Sequence, residues 1–317
     1  MTLGVVGLMQ KDSVAVLAVN SNDGPSIWIP MLILYLVLGM VSSIVAIKTR
    51  GAPAGQLRQQ TLSWWRIFPV VSISLYFTHY TSLILSLLIV GLSIRELAAH
   101  YTGRRIFFLL VCGGGASLIL GSHYALAQKD WAQTSAILTA VCLLFLFKRF
   151  TDKLLYVAFF LSGLGIGFLI SIEQLPFPPE ATQAWLFYLL TITAISDIAQ
   201  FATGKLAGIH KIAPRISPHK SWEGIAGGVI ISLLVSAILG HYLRLTNTFQ
   251  LALIALVLSL GGLCGDLLFS AIKRLLKIKD FSQLIPGQGG ILDRVDSLVL
   301  TAPLLYGMIY FLHIGSL

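Results

Sequence analysis

Residues 249–272 read FQLALIALVLSLGGLCGDLLFSAI, and Lys273 and Arg274 follow directly. A helix of this length reaches across a bilayer core, which takes about 20 mostly apolar residues. It is apolar on every side, so a water-facing surface could not accommodate it. The rest of the chain is of the same kind. Its 317 residues are 56% hydrophobic and 11% charged, with mean hydropathy +0.85, whereas a soluble domain carries roughly a quarter charged residues. In lipid every backbone polar group needs an internal partner, and long apolar runs meet that need as helices. The same window marks further candidate spans near 26–47, 67–93, 106–127, 132–147, 154–172, 182–204, 223–243 and 296–315. The expected fold is all-α: a polytopic integral membrane protein with about nine transmembrane helices.

Basic residues between spans set the expected orientation. The loops after spans two, four, six and eight hold 15 Lys and Arg, against 6 in the other four. The richer set is expected in the cytoplasm, with the protein in the cytoplasmic (inner) membrane. Lys48, Arg50, Arg58 and Arg66 in the first loop run against the pattern, and Trp64 and Trp65 there read as interfacial anchors. The net charge of +9 falls between apolar runs, which points to membrane lipids and anionic substrates as partners and away from nucleic acid. Cys112, Cys142 and Cys264 sit in apolar runs without metal spacing and read as small hydrophobes. Residues 1–19 are broken by Gln10, Lys11 and Asp12, so no cleavable signal peptide is expected. Without repeats or low-complexity tracts, one membrane domain is expected, with N-terminal helices in 1–180 and the chemistry in 181–317.

Two carboxylates fall inside apolar runs, Asp197 and Asp266. A carboxylate within a membrane is costly and marks a functional position unless it only bonds a neighbouring helix. Asp266, Ser270, Lys273, Arg274 and Lys277 share one stripe at about 100° per residue. A snorkelling helix end would explain Lys273 and Arg274 but not Asp266. The following loop carries Lys279, Asp280, Pro286, Gly287, Gly289 and Gly290, then Asp293 and Asp296 at i,i+3. Acidic residues at a helix start suit the helix dipole, which is the plain reading of the last two. The whole set, with four carboxylates and several cations, suits Mg²⁺ and phosphates better, and glycines let backbone N–H groups approach a phosphate. Upstream, residues 204–228 add Lys205, Lys211, Arg215, Ser217 and Lys220, either as a positive cytoplasmic loop or as part of the same site. Ser217-Pro218 reads as a turn, and Ser221 is placed to cap a helix starting near Trp222. His210 and His219 read as solvated; His79, His123, His241 and His313 read as structural.

At these residues the sequence resembles the CDP-diacylglycerol synthase (phosphatidate cytidylyltransferase) family, closest to its longer bacterial branch. The resemblance rests on Ser270, Lys273-Arg274, Lys279-Asp280, Pro286-Gly287-Gln288-Gly289-Gly290, Asp293-Arg294 and Asp296, preceded by Gly265-Asp266. It extends to Asp197-Ile198-Ala199-Gln200, Gly204-Lys205 and residues 214–224, and is specific over about 190–303. Gln288 stands where the family has histidine, an amide that cannot carry a proton at neutral pH. The resemblance implies transfer of a cytidylyl group from CTP to phosphatidate or a related lipid phosphate, with release of pyrophosphate. It implies Mg²⁺, leaves room for a second, monovalent cation, and allows a homodimer. By the same resemblance Asp266 and Asp293, then Asp296, Asp280 and Asp197, are the metal ligands. Asp266, Asp293, Asp296, Lys273 and Arg274 carry the reaction, and Lys205, Ser217, Lys220, Ser270, Lys279, Gln288, Gly289, Gly290 and Arg294 bind substrate phosphates. Three other readings compete. A CTP-dependent lipid kinase would need a base for an alcohol acceptor. An anion transporter would show two related halves, and none are visible. An impaired paralogue has Gln288 as its support.

Overall fold

The computed structural model describes residues 26–48, 56–76, 80–125, 138–139, 141–285, 289–312 and 314. The expectations for residues 1–19, Lys48, Arg50, His79, Pro286, Gly287, Gln288 and His313, and for residues 132–137 and 140 of the span near 132–147, fall outside the residues or side chains described. The helices are α1 (Trp28–Lys48), α2 (Gln56–Tyr76), α3 (Thr81–His100), α4 (Arg105–Ala125), α5 (Phe150–Glu173), α6 (Pro179–Ala207), α7 (Trp222–Tyr242), α8 (Thr248–Leu275), α9 (Leu292–Val295) and α10 (Leu298–Phe311). A short antiparallel hairpin, β1 (Lys211–Ala213) and β2 (Ser217–Ser221), joins α6 to α7. Among the described residues, seven helices are long and apolar enough to cross a membrane: α1 and α3 to α8. The protein is an all-α, multi-pass membrane protein.

Helix α5 is the central element, with 72% of its span buried, against 17% for α1, which packs mainly on α2. Around α5 stand α3, α4, α6 and α10, and α7 is held on the outside by α6 and α8. The inside-out logic of a membrane protein is plainest in α7. It turns Ile230, Leu234 and Ile238 outward and buries Gly224, Gly228, Ser232, Ser236 and Gly240. Small residues every fourth position let backbones approach where lipid offers no hydrophobic drive between helices. The approach is close: a Cβ at Gly228 would lie 2.3 Å from Gln200 Cγ.

The helix starts are locally encoded. Ser221 Oγ accepts from Gly224 N at 3.2 Å, as expected for the cap of α7, and Asn247 caps α8 through Gln250 N at 2.9 Å. Three expectations are corrected. The span placed at 67–93 is two helices, α2 and α3. A hydropathy average runs across Tyr80, where the backbone is not helical (φ −131°, ψ 9°), and α2 begins earlier, among polar residues. Arg58, Arg66, Trp64 and Trp65 therefore lie on α2, not in a loop, and Trp65 Nε1 donates to Ser42 Oγ on α1 at 2.8 Å. Ser217-Pro218 opens strand β2; the turn is at residues 214–216, closed by Ile216 N donating to Ala213 O at 3.1 Å. The last helix breaks at Asp296 and Ser297, so Asp293 lies on α9 while Asp296 lies at the junction with α10.

Candidate active site

The charged residues gather at one end of the bundle, where the C-terminal ends of α3, α6 and α8 meet the hairpin and the loop leading into α9. Two Lys–Asp pairs organise it. Lys220, on β2, reaches Asp266 Oδ2 on α8 at 2.8 Å. Its second partner is Gln200 Oε1 on α6 at 3.3 Å. Gln200 is fixed in turn, since its Nε2 donates to Ser196 Oγ at 3.0 Å, and Ser196 bonds Ser259 Oγ at 2.7 Å. Ser270 Oγ donates to Asp266 Oδ1 at 3.3 Å, one turn along α8. The charges of Asp197 and Asp296 also act on Lys220. Burial alone would lower the Lys220 pKa, but Asp266 and Asp197 reverse that and hold it above the ordinary lysine value. The carboxylates are brought together by tight backbone packing. A Cβ at Gly265 would meet Asp296 O at 2.4 Å, so only glycine lets α8 lie against the α9–α10 junction.

The second pair lies deeper. Lys273 Nζ is 2.7 Å from Asp293 Oδ1, with side chains 11% and 3% exposed. Asp293 Oδ2 accepts from Phe281 N and from Gly290 N, both at 2.9 Å. Lys273 also lies 5.7 Å from the centre of the Phe281 ring. Asp293 thus ties the two ends of the glycine turn to α8, with both oxygens engaged. The turn needs its glycines for space as well as conformation. Gly289 has φ +87°, and a Cβ there would lie 2.9 Å from Asp293 Oδ2; one on Gly290 would lie 2.4 Å from Glu96 Oε2.

The remaining sequence candidates take varied positions. Asp197 is deep in the cluster; among the described residues its Oδ1 and Ser297 Oγ are buried and make no hydrogen bond of good geometry, although the Ser297 hydroxyl faces the Asp197 carboxylate. Asp296 is buried, and its Oδ1 accepts from Ser297 N at 2.9 Å. Arg294 is exposed, yet its charge reaches Asp197 and Asp296. Arg274 leaves the stripe of Asp266 and Lys273 and turns outward. Its Nε donates to Ile216 O at 3.2 Å, bracing the hairpin, and a further N–H donates to Ile278 O at 3.3 Å. Lys277 lies past the end of α8 in left-handed conformation, φ +58°. Lys205 is exposed, 5.9 Å from the Phe201 ring. Lys279 and Asp280 are exposed, and Ser217 is half-buried on β2; among the described residues no hydrogen bond or ion pair joins these three side chains to the cluster. Among the described residues no three Asp, Glu, His or Cys side chains converge closely enough to hold a metal by themselves.

Two residues of this region, Glu96 and His100, are not among those the sequence singles out. Glu96, buried on α3, accepts from Ser282 Oγ and Ile291 N, both at 2.7 Å, and from Leu292 N at 3.1 Å. One turn on, His100 Nε2 lies 2.6 Å from Phe281 O. The signal was the one that marked Asp197 and Asp266, a lone carboxylate in an apolar helix. It was lost because the expected span stopped at residue 93.

The sequence pattern of the cytidylyltransferase family matches residues 58–312. Over 142 residues the chain is 40% identical to the "Phosphatidate cytidylyltransferase" of Staphylococcus epidermidis, covering 44% of this chain and 53% of the relative. Over 123 residues it is 41% identical to the protein of that name from Bacillus subtilis, covering 38% and 46%. Over 128 residues it is 44% identical to the "Uncharacterized protein YnbB" of Escherichia coli, covering 40% and 42%. The chain spans about half the length of the curated relatives it matches. With the family pattern running over most of its length, the chain belongs to the cytidylyltransferase family.

Proposed function

We propose that this protein is a phosphatidate cytidylyltransferase, converting CTP and phosphatidate to CDP-diacylglycerol and pyrophosphate in phospholipid synthesis. The observation that carries the reading is the Lys220–Asp266 pair set among Asp197 and Asp296 at the bundle end, in a chain of this family. The names of the relatives from Staphylococcus epidermidis and Bacillus subtilis support the choice of acceptor.

The chemistry asks little of a base. A phosphatidate phosphate oxygen is already ionised; it bonds to the α-phosphorus of CTP as the bond to the bridging oxygen breaks, and pyrophosphate leaves with that electron pair. The task is to hold two anions in line and offset the charge that develops. Lys220 neutralises Asp266 in the absence of substrate. A phosphate arriving beside it competes for the ammonium and leaves Asp266 Oδ2 free as a ligand. Arg294, at the mouth of the cluster, adds a second cation. Asp266 with Asp197 or Asp296 would hold Mg²⁺ together with substrate phosphate: among the described residues the buried Asp197 Oδ1 makes no hydrogen bond of good geometry, and only the Ser297 hydroxyl faces that carboxylate. Mg²⁺ usually takes one or two carboxylates and completes its shell with water and substrate phosphates. When bound it neutralises phosphate oxygens and the departing pyrophosphate. Asp293 becomes a ligand only if Lys273 releases Oδ1.

Purified protein with radiolabelled CTP and phosphatidate, with and without Mg²⁺, tests the reading. The expected result is Mg²⁺-dependent labelled CDP-diacylglycerol; label transferred to a lipid alcohol instead would overturn the acceptor. The site end is assigned to the cytoplasm, where the basic loops belong. With Cys112, Cys142 and Cys264 replaced, Gln283→Cys, exposed on the turn, is expected to react with a membrane-impermeant thiol reagent in inverted vesicles and not in intact cells. The reverse labelling would overturn the orientation.

A further inference from the structure

We infer that Glu96, in the N-terminal half of the chain, is a positioning residue that sets the glycine turn against the site; this rests on the function proposed above. Glu96 and Asp293 grip the same two stretches from opposite sides. Asp293 binds the amides of Phe281 and Gly290 from within, while Glu96 binds the Ser282 hydroxyl and the amides of Ile291 and Leu292 from α3. The partners of Glu96 lie before and after the turn, so its carboxylate closes the base of the loop, 195 residues away from Ile291 in sequence. Gly290 leaves no room between the turn and Glu96, since a Cβ there would lie 2.4 Å from Oε2. The carboxylate therefore fixes the two flanks of the turn at Ser282 and Ile291, and with them the start of α9 that carries Asp293 and Arg294. None of its contacts touches the Lys220–Asp266 pair.

Glu96→Gln separates hydrogen bonding from packing, because the two side chains have nearly the same shape. In the structure each carboxylate oxygen accepts a backbone N–H. An amide offers one acceptor oxygen, and its NH₂ must then face a second donor. The variant is expected to raise KM for CTP about tenfold, the cost of about one misplaced hydrogen bond, with KM for phosphatidate unchanged. Equilibrium binding of CTP should weaken by the same factor while the thermal midpoint stays near that of the parent. Glu173→Gln, a carboxylate at the other end of the bundle that bonds Ser82, serves as the control and should change neither constant. An unaltered KM for CTP in folded Glu96→Gln overturns the positioning role. If that variant does not accumulate, Ser282→Ala decides: it removes one of the three contacts and should raise KM for CTP about two- to threefold, and no change overturns the inference. The parent protein in the same assays keeps the questions apart, since a parent that neither binds CTP nor turns over overturns the proposed function itself.

Discussion

The two Lys–Asp pairs of the site are alike in chemistry and opposite in setting. Lys220–Asp266 is 17% and 24% exposed and stands among the further carboxylates Asp197 and Asp296. Lys273–Asp293 is nearly sealed, and each Asp293 oxygen already has a partner. A saturated buried pair holds structure, because any competitor must displace several bonds at once. A more exposed pair, whose carboxylate bonds only the side chains of Lys220 and Ser270, exchanges partners at lower cost and is the one suited to meet a phosphate. The difference also separates two outcomes that a loss of activity alone would confuse.

Replacing the acid of each pair should break the comparison most sharply. Asp266→Asn is expected to lower turnover by about three powers of ten or more, through loss of charge at the reacting phosphates, while the thermal midpoint in detergent stays near that of the parent. Turnover within tenfold of the parent would remove Asp266 from the reaction. Asp293→Asn should act first on stability. It leaves the Lys273 ammonium buried without its counter-charge, a loss of about 3–5 kcal/mol, read as a lowered unfolding midpoint. Adding Lys273→Met should recover part of that stability without recovering activity. If Asp293→Asn instead keeps full stability and loses all turnover, Asp293 belongs with the metal ligands and the contrast between the pairs fails.

Smaller effects sharpen the picture. Lys220→Met should cost about a hundredfold in turnover, comparable to removing one preorganised donor, and Lys220→Arg should restore part of it by keeping the charge. Near-normal rates in Lys220→Met would make the pair a structural bridge. Arg274→Ala removes a brace on the hairpin at an exposed position and should shift stability by about 0.5 kcal/mol and turnover by about twofold at most. A larger loss of turnover would show that Arg274 reaches substrate despite its outward turn.

Much of the site was legible one residue at a time. Asp197 and Asp266 stand out because a carboxylate in an apolar run has no inexpensive solvent, and Ser221 because a serine before an apolar run caps a helix. The partners were not legible. Lys220 and Lys273 look equivalent as basic residues near apolar runs, and only packing gives one to Asp266 and the other to Asp293. Arg274 follows Lys273 directly but lies about 100° round the helix from it, at the edge of the stripe, and there it turns outward. Glu96 was hidden by an averaging window that fused α2 and α3. The glycines beside Asp293 suggested amides turned to a phosphate, whereas the Gly290 amide is donated to Asp293 itself.

What the sequence by itself determined is the solvent and the class of chain. Long apolar runs require a membrane and helices, and the spacing of Asp, Lys, Arg and Gly in the last third carries the family resemblance, since both are properties of short contiguous stretches. What only the tertiary structure decided is which charges meet. Lys220 reaches Asp266 across 46 positions, and Glu96 reaches Ile291 across 195. Such contacts depend on how closely backbones approach at Gly228, Gly265 and Gly290, where a single methyl group would not fit. Fit of that kind is a property of two surfaces together, and it is not contained in the pattern of either one alone.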